Sequence, residues 1–183
     1  MATGRQGENH LAQQTAKAAE LQRFITDELM ITLGQSPVST IDAVVSGGGL
    51  GTVNLTGTEV VNVTGTASRD VTVNGTAEDD DLVYQPTGAD AGSIQKTGLG
   101  LIANLSQVAN LIVGGAGGDD TLTVKGTAAA DAFTTISATA VLVTGLQGVN
   151  TLGTVEALRV YGLEGADTFA VDRKSTRLNS SHT

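Results

Sequence analysis

The sequence contains no cysteine and only two histidines among its 183 residues. Without cysteine, the chain can form neither disulfides nor thiolate-ligated zinc sites. The histidines, His10 and His182, lie near the two ends of the chain, away from its patterned region. A Ser-His-Asp triad or a histidine-ligated metal site therefore has almost no residues to draw on.

Long apolar runs are also missing. None approaches the ~20 residues that a membrane-spanning helix needs. The chain does not open on a basic region followed by an apolar stretch, so no signal peptide is visible. The formal net charge is −9, which repels nucleic-acid phosphates and anionic lipid and attracts cations. The expected partners are cations, with no nucleic acid and no membrane insertion.

Aromatic residues make up 3% of the chain, whereas glycine occurs 24 times. Few large side chains give a thin core, which suits short strands turning on glycine better than one wide enzyme core.

An internal repeat organises the second half of the chain. Residues 97–124 and 144–171 align without a gap at an offset of 47 and share twelve of 28 residues. An earlier copy lies 50 residues upstream, where Asp70 corresponds to Asp120. One copy cannot bury its apolar face alone, so the copies are expected to stack.

Within each copy, apolar and polar residues alternate over short runs bounded by glycine, asparagine or aspartate, as in Leu122–Val124. This period of two is typical of short strands joined by tight turns. The sequence therefore predicts a mainly β fold, a parallel β-solenoid (β-roll or β-helix) of repeats of about 47–51 residues. The repeats are predicted over 47–171, with copies near 47–96, 97–143 and 144–171, the last truncated.

Residues 1–46 are predicted to form a separate N-terminal segment. Leu21, Ile25 and Leu29 recur every fourth residue, which indicates an amphipathic helix over 9–33 that caps the solenoid. At the other end, residues 172–182 read DRKSTRLNSSH. That string matches the in-frame translation of a common sequencing adapter, so residues 172–183 are interpreted as a non-native tail.

The sharpest motif is Gly-x-x-Gly-x-Asp-x-apolar. It occurs at Gly115–Leu122 and at Gly162–Phe169. Weaker forms begin at Gly65, Gly75 and Gly126 and reach Asp70, Asp80 and Asp131. These stretches resemble, in degenerate and fragmentary form, the hemolysin-type calcium-binding (RTX-like) repeat.

The resemblance implies a Ca²⁺ site between neighbouring coils, of the oxygen-rich kind that calcium prefers. Asp120 and Asp167 would be carboxylate ligands, with Asp70, Asp80 and Asp131 in the weaker motifs. The implied carbonyl ligands are those of Gly115, Gly117, Gly162 and Glu164. Sharing an ion between coils would require equivalent residues such as Asp70, Asp120 and Asp167 to lie in one column.

The resulting hypothesis is a calcium-binding structural or adhesive repeat segment of a secreted or cell-surface bacterial-type protein, and not an enzyme. Its location and its possible partners, an extracellular protein or a polysaccharide surface, rest on the resemblance. Three alternatives remain open. The Gly-Asp turns can be plain turns, because aspartate hydrogen-bonds its own backbone there. The chain can be a fragment of a parallel β-helix carbohydrate-active enzyme, or can carry a threonine-rich adhesive or ice-binding face built from Thr121, Thr123, Thr134 and Thr135.

Overall fold

The computed structural model describes residues 29–34, 42–47, 50–66 and 68–172. All regular secondary structure in these ranges is β-strand. The strands, numbered in chain order, are β1 (Leu29–Leu33), β2 (Ala43–Gly47), β3 (Leu50–Leu55), β4 (Val60–Thr64), β5 (Asp70–Asn74), β6 (Asp81–Gly88), β7 (Ala91–Lys96), β8 (Ile102–Ser106), β9 (Asn110–Gly114), β10 (Thr121–Lys125), β11 (Ala132–Ile136), β12 (Ala140–Val143), β13 (Val149–Thr151), β14 (Ala157–Tyr161) and β15 (Thr168–Val171).

These strands form two sheets in a β-solenoid arrangement of about three turns. The nine-stranded sheet has the order β15-β11-β12-β13-β9-β5-β1-β2-β3, and the six-stranded sheet has the order β14-β10-β6-β7-β8-β4. The sequence therefore predicted the mainly β solenoid correctly in outline.

The pairing is mixed rather than purely parallel. Three antiparallel meanders, β1-β2-β3, β6-β7-β8 and β11-β12-β13, interrupt the parallel stacking. Only Ala89 and Asp90 separate β6 from β7, and so short a connection can return the chain only antiparallel. All other pairs are parallel, and their partners lie 35 to 42 residues apart, as in Ile136↔Val171 and Val60↔Ile102.

The pairing pattern recurs every five strands. We call β1–β5, β6–β10 and β11–β15 the three units. In each unit the first strand pairs with the fifth. The third strand of each later unit pairs with the fourth strand of the unit before it, as β8 pairs with β4. The fourth strand of each later unit pairs with the fifth strand of the unit before it, as β9 pairs with β5.

One hydrophobic core contains side chains from both sheets. The strands alternate as expected: in β10, Leu122 and Val124 are buried while their neighbours are half-buried. Each such aliphatic side chain contributes roughly 1.5–3 kcal/mol when fully buried. Tyr84 joins the two sheets, because it is buried in β6 and its hydroxyl donates to the Gln147 carbonyl, just before β13, at 3.0 Å.

The predicted N-terminal segment is described only in part. Two strands of the nine-stranded sheet, Leu29–Leu33 and all of Ala43–Gly47 except its last residue, lie within the predicted 1–46 segment. Leu29, Ile31 and Leu33 lie at alternate positions along β1 and are buried. Residues 29–33 therefore follow the two-residue period of a strand, and the predicted helix is wrong for this stretch. The rest of the predicted helix, and the tail from residue 173, lie outside the described residues. Across the described ranges, no helix has the length and hydrophobicity of a membrane span.

Candidate functional site

Three of the predicted turns, at 65–70, 75–80 and 126–131, have the form Gly-Thr-x-x-x-Asp, and the last two make the same hydrogen bonds. The aspartate closes its own turn, because Asp80 Oδ2 accepts the N–H and the hydroxyl of Thr76 at 2.5 and 3.1 Å. Asp131 Oδ2 accepts the same two groups of Thr127, at 2.6 and 3.1 Å. Here the carboxylate serves as a local turn cap.

The other two turns, at 115–120 and 162–167, keep both glycines of the motif and have no threonine. Ala116 and Leu163 follow the first glycine with positive φ angles of 82° and 73°. The second glycines, Gly118 and Gly165, have φ angles of 98° and 112°. In the 115–120 turn, Asp120 Oδ2 is buried and accepts no hydrogen bond within the described part of the chain.

Each double-glycine turn lies directly on a threonine turn, which gives two stacked pairs. In the first pair (75–80 with 115–120), the N–H of Asp80 donates to Asp120 Oδ1 at 2.7 Å, and the N–H of Gly117 donates to the Thr76 carbonyl at 3.0 Å. In the second pair (126–131 with 162–167), the N–H of Asp131 donates to Asp167 Oδ1 at 2.9 Å. The carboxylates of Asp120 and Asp167 therefore bond to the backbone of the adjacent coil.

This stacking explains the second glycine of the motif. A Cβ at Gly118 would lie 2.7 Å from the backbone carbon of Glu78, and one at Gly165 would lie 2.5 Å from the carbonyl oxygen of Ala129. Real Cβ atoms do not approach backbone so closely, and both φ angles favour glycine. The second glycine is thus required where one turn lies on another.

Four charged side chains form a column at the first stacked pair. Lys96, on β7, makes an ion pair with Asp80 Oδ1 at one end. Asp80 donates its N–H to Asp120, and Asp120 donates its own N–H to Glu156 Oε2 at 2.7 Å. The Asp80 side chain is fully buried, whereas Glu156 at the other end is exposed.

Asp120 is the unusual member of the column. Its relative exposure is 1%. Burial raises the pKa of Asp120, the hydrogen bond from Asp80 opposes that rise, and the charges of Asp80, Glu156 and Asp79 reinforce it. A Cβ at Gly115 would collide with both the Asp120 carboxylate and the Thr154 carbonyl. The Asp120 carboxylate and the Thr154 carbonyl therefore both lie close to this glycine, an arrangement that suits a proton or a cation.

We expect Asp120→Asn to stabilise the protein at pH 7 by about 0–2 kcal/mol, because relief of an unsatisfied buried oxygen, about 1–3 kcal/mol, is partly offset by the ~1 kcal/mol lost when the bond from Asp80 becomes neutral. The new Nδ2 can donate to Thr154, while Oδ1 still accepts from Asp80. Because the pKa of Asp120 is raised in the folded protein, the ionised Asp120 carboxylate destabilises the fold at pH values above that pKa. This destabilisation is relieved as the pH falls and the carboxylate takes up a proton. In urea denaturation, the difference in free energy of unfolding between Asp120→Asn and the native sequence should therefore become smaller from pH 7 towards pH 4.

The matched control for this prediction is Asp90→Asn, because Asp90 is exposed in the β6–β7 turn. It should change the free energy of unfolding by less than about 0.5 kcal/mol. A destabilised Asp120→Asn variant at pH 7 would contradict the description of Asp120.

The structure brings some of the predicted site residues together and separates others. Asp80 and Asp120 share the first stacked pair, together with Gly115 and Gly117. Asp131 and Asp167 share the second pair, together with Gly162 and Glu164. Asp70 lies apart at the start of β5, where Oδ1 accepts the Asn110 side-chain amide at 2.7 Å.

Asp70, Asp120 and Asp167 therefore do not form one column. The described residues also contain no group of three or more histidine or acidic side chains arranged to hold a metal ion. Among the described residues, only Asp120 has a buried carboxylate oxygen with neither a hydrogen-bond nor an ion-pair partner. Calcium takes six to eight oxygens, so the described turns do not form a complete calcium site, and its binding stays a prediction.

Sequence reasoning missed Lys96, Glu156 and the two turn threonines. The Gly-Thr pairs at 75–76 and 126–127 recur at an offset of 51, a signal that marks their shared role. Nothing in the sequence connects Lys96 to Asp80, because the β6-β7 hairpin creates that contact.

Two further alternatives can be compared with the geometry. A cleft beside β14 and β15 is lined by Glu156, Asp172 and mostly aliphatic residues, and the Glu156 carboxylate already accepts the Asp120 N–H. Thr121 and Thr123 lie in the six-stranded sheet, whereas Thr134 and Thr135 lie in the nine-stranded sheet. These four threonines therefore do not form one flat face.

Comparison of the chain with protein-family models, with curated proteins and with solved structures gave no match.

Proposed function

We propose that this chain is a structural repeat segment of a secreted or cell-surface protein, which spaces or presents neighbouring parts and carries out no catalysis. The observation that carries the proposal is the coupling of adjacent coils through carboxylate-to-backbone hydrogen bonds. The same contact, of about 2.7–2.9 Å, occurs in both stacked pairs. Charge-assisted bonds of this kind contribute more than neutral ones, roughly 1.5–3 kcal/mol each.

The recurrence of the five-strand unit supports a structural role. We propose that it corresponds to the sequence repeat of about 47–51 residues, because Leu111 and Leu158 occupy the same place in β9 and β14. Repeat proteins of this type gain stability from intrinsic and nearest-neighbour terms, so each unit supports the next. The extracellular location and a protein or polysaccharide partner belong to the proposal through the hemolysin-type resemblance.

Calcium binding is the second candidate, and the unpartnered Asp120 oxygen is the observation that favours it. Asp120 would contribute a carboxylate oxygen and Thr154 a carbonyl oxygen. The sharing of Oδ1 with the Asp80 N–H leaves only Oδ2 for an ion. Binding at this place would relieve the repulsion between Asp120 and its acidic neighbours.

One experiment separates the two candidates. The thermal unfolding of the full chain is followed by circular dichroism in EDTA and in millimolar calcium, for the native sequence and for Asp120→Asn. The structural proposal expects cooperative unfolding in EDTA and superimposable curves with calcium. A chain that is unfolded in EDTA would contradict it.

The calcium candidate expects a different result from the same curves. Calcium at tenfold excess over its Kd should stabilise the native sequence by about 1.4 kcal/mol. Asp120→Asn should lose that gain, while Asp90→Asn should keep it. Equal melting temperatures with and without calcium would remove the second candidate.

A further inference from the structure

Lys96 and Asp80 lie against each other where the β6–β7 hairpin meets the 75–80 turn. The Asp80 side chain is fully buried, and that of Lys96 is 19% exposed. Asp80 Oδ1 faces the Lys96 ammonium and accepts no hydrogen bond from the described residues. Gly34 covers the pair, because a Cβ at Gly34 would lie 3.5 Å from Lys96 Nζ. An amine and a carboxyl group are therefore held together in a site that is largely closed to water.

The threonine turn forms equally well without a lysine. In the equivalent 126–131 turn, the N–H and the hydroxyl of Thr127 donate to Asp131 at 2.6 and 3.1 Å. Lys96 pairs with the second residue of β6, whereas Val143 pairs with the second residue of β11. Val143 thus occupies the position of Lys96 in the later unit. Because the turn is closed there with a valine at this position, the lysine at the first turn has a role beyond closing it.

We infer that Lys96 and Asp80 condense in the folded protein, so that an amide bond joins Lys96 Nζ to Asp80 Cγ. The ion pair is the state that precedes this step. Transfer of one proton from Nζ to Oδ1 within the pair gives a neutral acid and a neutral amine, which is a nucleophile. Burial makes this neutral pair more accessible than it is in water, because both charges lose their solvation. Two groups held in contact also react as if they were at very high concentration.

The condensation balances without any further reactant. Lys96 Nζ attacks Asp80 Cγ, the Nζ–Cγ bond forms and the Cγ–Oδ1 bond breaks. The electron pair of the broken bond leaves with Oδ1, which takes two protons from the ammonium group and departs as water. The third proton of the ammonium group stays on the amide nitrogen.

Thr76 contacts both reacting groups. Its N–H and its hydroxyl donate to Asp80 Oδ2 at 2.5 and 3.1 Å. Negative charge develops on Oδ2 as the amine attacks, so these two donors stabilise the tetrahedral intermediate. Thr76 Oγ1 also accepts a hydrogen bond from Lys96 Nζ at 3.3 Å, which holds the amine beside the carboxyl group.

The amide bond would join the 75–80 turn covalently to β7. A buried neutral amide would replace two buried charges, and the segment between Asp80 and Lys96 would become a closed loop. This inference goes beyond the proposed structural role, which rests on hydrogen bonds between coils.

Mass spectrometry of the full chain, folded and then denatured for digestion, tests the inference. Trypsin should fail to cleave after Lys96 and should release residues 70–125 as one peptide, lighter than its sequence by one water. Chymotryptic cleavage after Tyr84 should leave the two parts of this peptide joined, because Asp80 and Lys96 lie on opposite sides of the cut. Joined parts locate the bond and distinguish it from loss of water elsewhere.

Two variants complete the test. Lys96→Met should have the full mass of its sequence. Lys125→Met is the matched control, because Lys125 lies on β10 and makes no ion pair within the described ranges, and it should keep the loss of water. Cleavage after Lys96 in the native chain, parts that separate after cleavage at Tyr84, or the same loss of water in Lys96→Met would each overturn the inference. A folded native chain of full mass would overturn it too, and would leave the structural proposal intact.

Discussion

Replacing Lys96 with methionine should lower the free energy of unfolding by about 3–5 kcal/mol, the usual cost of breaking a buried ion pair. The Asp80 side chain is 0% exposed, and its Oδ1 has only the Lys96 ammonium as a partner within the described residues. Methionine keeps most of the aliphatic stem that packs beneath the ammonium. The loss would therefore report the uncompensated charge of Asp80 rather than lost packing.

Two further variants isolate that cause in urea denaturation. Arg159→Met removes a surface ion pair to Asp81 at 3.9 Å, with side chains 57% and 61% exposed, and should cost less than about 1 kcal/mol. Asp80→Asn combined with Lys96→Met removes both charges and should recover part of the loss. A Lys96→Met variant no less stable than Arg159→Met would show that the pair is not the anchor of the column.

Substitution of Gly118 by alanine should strongly destabilise the protein. Alanine at φ 98° costs roughly 1–2 kcal/mol in backbone conformation. Its Cβ would also fall 2.7–2.8 Å from the Glu78 and Asp79 backbone, which adds about 1–3 kcal/mol of overpacking. The expected total is about 2–5 kcal/mol, measured as the change in free energy of unfolding.

Gly98→Ala is the matched control for this substitution. Gly98 also has a positive φ, 84°, but a Cβ there would meet nothing within 4 Å. It should therefore show only the conformational cost. Equal losses for the two variants would mean that the 115–120 turn does not lie on the 75–80 turn as described.

Local features of the fold could be predicted from the sequence because they depend on neighbouring residues. The alternation in Leu122–Val124 predicts a strand, and the structure has β10 there with both apolar side chains buried. The Gly-Asp motifs predict turns, and the 75–80 and 115–120 turns precede β6 and β10.

The partners of those turns could not be predicted from the repeat. Aligning copies equates residues in the same place of successive units, which suggested Asp70 and Asp167 as the neighbours of Asp120. The hydrogen-bonded neighbours are Asp80 and Glu156, because fifth strands pair with first and fourth strands. The antiparallel meanders change which strands become neighbours, so equivalent residues of successive units do not lie side by side. The alignment of repeats does not show these meanders, because they depend on the short connections between strands.

The carboxylates of Asp120, Asp167 and Glu156 hold adjacent coils together by accepting backbone N–H groups, and we expect these bonds to form in metal-free protein. Amide hydrogen exchange of the full chain, followed by NMR in EDTA, measures these bonds directly. The amides of Asp80, Asp120 and Asp131 should exchange nearly as slowly as those in the middle of β10. Exchange as fast as that of exposed turn amides, with protection gained only on addition of calcium, would show that these carboxylates do not hold the coils together by themselves.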